Sequence, residues 1–164
     1  MEEVRGGLES LNISRGILRG YALYVTSERI IGAKMKRRGR ELFKFLMGWR
    51  GSLKDSLTPL EWRGETAKIP ALTGEEARRV LEDVRGRIDF EVKKHEIQKV
   101  ELRKPGALRP GHVKIRTTTG REYKVVIVAR ATEEYDYLKE LFKAFCPEKL
   151  EVAEYPPHKA GFLG

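Results

Sequence analysis

Apolar residues alternate with polar or small ones in two blocks of the chain, and a period of two marks strands, because successive strand side chains point to opposite faces. In the first block, Leu11 and Ile13 alternate within a strand expected between Leu8 and Leu18, where Gly16 interrupts the pattern. Tyr21, Leu23 and Val25 then alternate with Ala22, Tyr24 and Thr26, and aromatic and β-branched side chains suit a pleated surface. Thr26-Ser27-Glu28-Arg29 is a polar break of hairpin length, so residues 30–35 are expected to form the third strand of a meander. In the second block, Ile88, Phe90 and Val92 alternate with Asp89, Glu91 and Lys93 in a fourth strand, and Ile97, Val100 and Leu102 mark an irregular fifth. Pro105-Gly106 and Pro110-Gly111 bracket a turn-rich loop. Val113, Ile115 and Thr117 line one face of a sixth strand, which Thr119-Gly120-Arg121 turns into a seventh over residues 122–129. Because Val125 to Val128 are consecutive apolar residues, that strand is expected to be buried on both faces, with a helix over its outer side.

The helical period appears in three places. Thr73-Gly74-Glu75-Glu76 reads as a capping box, with Thr73 accepting from a first-turn amide and Glu76 reaching back to the cap residue. Ala77, Val80, Leu81 and Val84 follow at helical spacing, and Gly86 supplies a stop. At the C-terminal end, Thr132 is placed to cap a helix over residues 133–146, whose stripe is Leu138, Leu141, Phe142 and Phe145 and which Pro147 ends. Between the blocks, Leu42, Phe43, Phe45, Leu46, Met47 and Trp49 cover an arc of roughly 200° at 100° per residue, with Arg37, Glu41 and Lys44 on the other side. A short basic amphipathic helix over residues 40–49 is therefore expected, limited by Gly48 and Gly51, with an irregular connection through Pro59. The tail, residues 151–164, has little to bury beyond Tyr155 and Phe162 and is expected to be extended or disordered.

Charge changes this picture more than length does. The 164 residues suffice for one domain with a core that needs no staples. The net charge is +9, and the segment Lys34–Lys68 holds ten Lys or Arg against four acids, which is +6 of that total. Charged residues make up 35% of the chain, while Asn12 and Gln98 are its only side-chain amides, a bias that points to a thermophilic source. Cys146 is the single cysteine, so no internal disulfide and no thiolate cluster can form, and a reducing, cytoplasmic setting is expected. Residues 1–7 lack a basic region followed by an apolar run, and no stretch approaches the ~18 uncharged apolar residues of a membrane span. The chain is expected to be neither secreted nor membrane-spanning.

Gly20 to Thr26 followed by Arg29-Ile30-Ile31, then Ile97 to Val100, Ile115 to Gly120 and Tyr123 to Val128, with a helix last, resembles the pleckstrin-homology-like superfamily, especially its GRAM and prokaryotic PH-like branches. The likeness covers about 100 residues in two blocks. It implies a mainly β fold (β+α): a seven-stranded antiparallel barrel or sandwich with a C-terminal capping helix and a helical insertion between strands 3 and 4. The domain would run over residues 1–150 with the insertion at 36–87. It also implies lipid-headgroup, peptide or protein binding, and no shared catalytic residue. Arg15 and Arg19 near the first turn are sparser than the basic cluster of the phosphoinositide-binding members.

Catalytic constellations are thin. His95, His112 and His158 stand in three unrelated contexts without ligand spacing to one another, which argues against zinc and reads as solvated loop histidines. Cys146 lies at the negative end of the last helix, where a low thiol pKa is not expected, so it reads as a core or rim thiol. No phosphate loop of the strand-loop-helix kind is present, and Glu75-Glu76 reads as a helix start. The expectation is a non-enzymatic binding or assembly module without metal or cofactor. Its candidate contact residues are Lys36, Arg37, Arg38, Arg40, Phe43, Lys44, Phe45, Trp49 and Arg50. Three partner classes fit them: a protein partner or second copy against the apolar arc, an anionic membrane surface to which the cytoplasmic chain would be peripheral, and nucleic acid drawn by Lys36-Arg37-Arg38-Gly39-Arg40 and a pI near 9.7. The last ranks lowest, because no stacking platform, helix-turn-helix or RNP-like motif accompanies the charge.

Overall fold

A computed structural model of the chain describes residues 1–35, 61–63 and 66–154. Its backbone is mainly β, and it divides into two compact units, residues 1–94 and 95–164.

In the first unit, β1 (Val4–Arg15), β2 (Leu18–Thr26) and β3 (Arg29–Lys34) form the expected antiparallel meander. Two short strands, β4 (Glu61–Arg63) and β5 (Thr66–Ile69), make a hairpin, and β5 pairs with β1. After α1 (Gly74–Arg85), β6 (Ile88–Lys93) pairs with β3, so the strand order is β4-β5-β1-β2-β3-β6, antiparallel throughout. On one face of this sheet Val4, Ala22, Tyr24, Ile31, Ala33, Ala67 and Ile69 form a buried cluster with Ala77, Val80 and Val84 of α1. A backbone pair between Val4 and Leu72, at 2.9 and 2.8 Å, ties the chain entering α1 to the start of β1.

In the second unit, β7 (Ile97–Arg103), β8 (Gly111–Thr117) and β9 (Glu122–Ile127) form an antiparallel meander. α2 (Thr132–Phe145) follows, and β10 (Leu150–Ala153) then pairs parallel with β7. Tyr135, Leu138, Phe142 and Phe145 of α2 are buried. Tyr135 Oη and Lys139 Nζ donate to Glu154 at 3.2 and 2.7 Å, which docks the helix beside the end of β10.

The seven expected strands are present as β1, β2, β3, β6, β7, β8 and β9, and the fifth is irregular as expected, with a register shift between Ile97 and Lys99. Several details differ. β4, β5 and β10 are additional strands, each of three or four residues and too short to show a period of two. Within the interruption after β3 the described residues hold the β4–β5 hairpin as well as α1, and residues 151–153 of the tail are extended, as expected, and pair with β7. Thr73 sits at the N-cap of α1 but its side chain caps nothing, because Gly74 enters at φ +57 and swings the first-turn amides off the capping line. Gly86 ends α1 as expected, and does so in a right-handed conformation. Ala131, not Thr132, occupies the N-cap of α2. Val125 and Ile127 are fully buried while Val126 and Val128 are half-buried, so β9 alternates instead of burying both faces. The expected helix over residues 40–49 lies outside the described residues.

Candidate functional site

A fully buried carboxylate of the first unit, Glu9, is held by local geometry on β1 and β2. Gly7 stands opposite Tyr24 in the β1–β2 register, and a Cβ at Gly7 would lie 2.5 Å from the Tyr24 ring. The bare backbone lets the ring lie across β1 toward the next inward residue, Glu9, which is 0% exposed. Tyr24 Oη donates to Glu9 Oε2. From the far side Arg87, just past α1, donates to both Glu9 oxygens at 3.2 and 3.1 Å. The same guanidinium holds Asp83 at 2.8 Å and the Lys34 carbonyl at 2.7 Å. Burial and the Glu9 carboxylate push the Tyr24 hydroxyl well above its usual range, so it stays a donor. Against the downward pull of burial, Glu9 raises Arg87, so that end stays charged. The cluster clasps α1, β1 and the end of β3 together; with Glu9 at zero exposure it offers no open face to a substrate.

A second constellation joins β1, β2 and β6. Tyr21 Oη donates to Asp89 Oδ2 at 2.6 Å, Arg15 lies 3.3 Å from the same oxygen, and the Arg15 guanidinium stands 5.4 Å from the centre of the Phe90 ring. Tyr21 and Phe90 stack with centroids 6.5 Å apart. Burial and Asp89 raise the Tyr21 hydroxyl far beyond neutral pH, so it too acts as a fixed donor.

The third lies on the second unit's sheet. His112, expected in a solvated loop, sits on β8 at 9% exposure, with Nε2 2.7 Å from Glu101 Oε2 on β7. The misreading arose because Gly111-His112 follows a proline-rich turn, while the strand begins at Gly111 itself. Burial holds the imidazole below its ordinary range and Glu101 offsets only part of that. The His112 hydrogen bond, with Lys114 and Lys99 nearby, holds Glu101 below the usual carboxylate range. Folding thus favours neutral His112 and ionised Glu101, so the folded chain binds fewer protons at both. Stability is expected to fall as pH drops through about 6.5 and again through about 4.5, the unperturbed values of the two groups. Urea denaturation of the wild type and of His112→Gln between about pH 8 and 5 checks this, and the variant should lose the upper part of the dependence. Stability that rises on acidification from about pH 8 to 6 would show instead that Glu101 dominates and His112 is charged.

None of the contact residues read from the sequence (Lys36, Arg37, Arg38, Arg40, Phe43, Lys44, Phe45, Trp49 and Arg50) falls among the described residues. What the structure does place are the flanks of that segment. Lys34 ends β3 and Glu61 begins β4, with β2, β1 and β5 between their strands. At ~4.8 Å per strand spacing the two flanking strands stand about 19 Å apart. His95 is exposed in a turn, His158 lies outside the described residues, and Cys146 is buried at 2% exposure as a core thiol. Sequence reasoning missed the Glu9 cluster; its signal was an acid on the same strand face as Gly7, an inward position. Among the described residues no group of three His, Cys, Asp or Glu could hold a metal ion, and no helix is long and apolar enough to cross a membrane. Compared with known proteins, the chain matches no family model and no curated protein sequence.

Proposed function

We propose that this chain is a non-enzymatic binding or assembly module with a PH-like scaffold, and that it contacts its partner through the basic segment Lys34–Lys68. The observation that carries the reading is the concentration of +6 of the chain's +9 charge in that one segment, together with the apolar arc of Phe43, Phe45, Leu46 and Trp49. The structure supplies context. The interior titratable groups described above, Glu9, Arg87, Tyr24, Asp89, Tyr21, Glu101 and His112, are each engaged by partners on their own sheet or its helix, as a scaffold would have them. A partner bearing negative charge next to an apolar surface fits the segment best. Sedimentation velocity across protein concentration, together with co-sedimentation on anionic and neutral vesicles at low salt, tests the reading. Association that weakens with added salt is expected. A chain that stays monomeric and pellets with neither vesicle would overturn it.

A further inference from the structure

The β7–β8 connection, residues 104–110, carries a surface that the sequence shows only as a turn. Leu108 is 88% exposed at its tip, flanked by exposed Ala107, Arg109 and Pro110. The loop is nonetheless fixed. Gly106 N donates to Arg109 O at 2.9 Å, closing the turn. Arg130 supports it from the segment before α2, through its backbone N–H to Gly106 O at 2.8 Å and its Nε to Ala107 O at 3.3 Å. To do so Arg130 adopts φ +71, a left-handed conformation that costs a non-glycine residue strain. At the neck, a Cβ on Gly111 would lie 2.2 Å from Arg103 O and 2.6 Å from Pro105 N, so the two strands close there around a bare backbone. An apolar tip is thus held out in water by a preorganised, strained support.

In the two segments that build the tip the charge has one sign, while the acid Glu154 lies at the neck beside Lys104. Residues 103–111 and 128–131 contain Arg103, Lys104, Arg109 and Arg130 and no acid. Lys104 acts on Glu154, so the outward charge rests on Arg103, Arg109 and Arg130, all exposed. An apolar wedge with cationic shoulders matches a surface whose anionic groups overlie an apolar layer. Nucleic acid fits less well, since the tip offers no aromatic ring for a base to stack on.

We infer that loop 104–110, with Arg103 and Arg130, is a docking site for an anionic lipid bilayer, with Leu108 entering the interface and the arginines meeting the headgroups. The site stands apart from segment 34–68 and does not depend on its role. Cys146 is 2% exposed, so a Leu108→Cys variant of the full chain can be labelled at position 108 with an environment-sensitive fluorophore. The emission is expected to shift to the blue on phosphatidylserine-containing vesicles and to stay unchanged on pure phosphatidylcholine. Adding Arg103→Gln and Arg109→Gln should weaken that response about 25-fold, at roughly fivefold per basic residue. No shift on anionic vesicles, an equal shift on neutral ones, or an unchanged response in the Gln variant each overturns the proposal. So does a larger response to a DNA oligonucleotide than to vesicles. Circular dichroism of each variant verifies that the fold is intact, and the series is repeated with Lys36, Arg37, Arg38 and Arg40 all changed to Gln, so that the response at position 108 is read without recruitment by the basic segment.

Discussion

Replacing Arg87 with Met is expected to destabilise the chain by about 3–5 kcal/mol, the cost of leaving a buried charge without its counterion. Glu9 is 0% exposed and Arg87 donates to both of its oxygens, so the substitution strands a carboxylate that water cannot reach. It also releases Asp83 and the Lys34 carbonyl, which loosens α1 from the end of β3. Neutralising the partner should reverse most of the loss, since Glu9→Gln removes the charge and keeps an acceptor for Tyr24. Urea denaturation of the two single variants and the double variant reads this directly. If Arg87→Met costs under about 1 kcal/mol, the carboxylate is not held as described; if the double variant is no better than the single, the loss is packing and not charge.

Phe142→Ala should cost a similar amount, about 3–5 kcal/mol, for a different reason. Phe142 is 0% exposed on α2, one turn after Leu138 and three residues before Phe145, so its removal leaves a cavity between fixed neighbours. Leu141, one residue away, is only half-buried, and Leu141→Ala should cost clearly less. Equal costs at the two positions would mean that α2 rotates to refill the gap.

These two sites mark where the sequence was legible and where it was not. The stripe of α2 and the alternation of β6 and β8 appear in the chain because each side chain's burial follows from its own position in a period, whereas β2 is buried on both faces from Gly20 to Thr26. β9 misled for the same reason: four consecutive apolar residues suggest two buried faces, but the pleat half-buries every second one. β4, β5 and β10 were invisible because three or four residues hold no period, and their pairing is decided by strands far away in sequence. The Glu9 cluster joins residues 9, 24, 83 and 87, and only β1–β2 pairing and the placing of α1 bring them together. The caps were misjudged because Thr73 and Thr132 are good cap residues by type, whereas Gly74 at φ +57 and Arg130 at φ +71 set the backbone paths into the helices. The candidate contact segment was legible only as charge and apolar arc, properties that composition displays without geometry. Loop 104–110 shows the reverse case, since two Pro-Gly pairs announced a turn but not that Leu108 would stand exposed at its tip.

The central claim is that the basic segment Lys34–Lys68 carries the main partner contact, with loop 104–110 as a separate, additional docking site. Its most direct test compares the wild type with a variant carrying Lys36→Gln, Arg37→Gln, Arg38→Gln and Arg40→Gln, measured by sedimentation velocity across concentration and by co-sedimentation with anionic vesicles, at low salt. The account predicts that the four substitutions leave the circular dichroism spectrum and the unfolding midpoint unchanged while association falls by at least about a hundredfold, from roughly fivefold per charge. A variant that associates as the wild type does, with the same salt dependence, would contradict it.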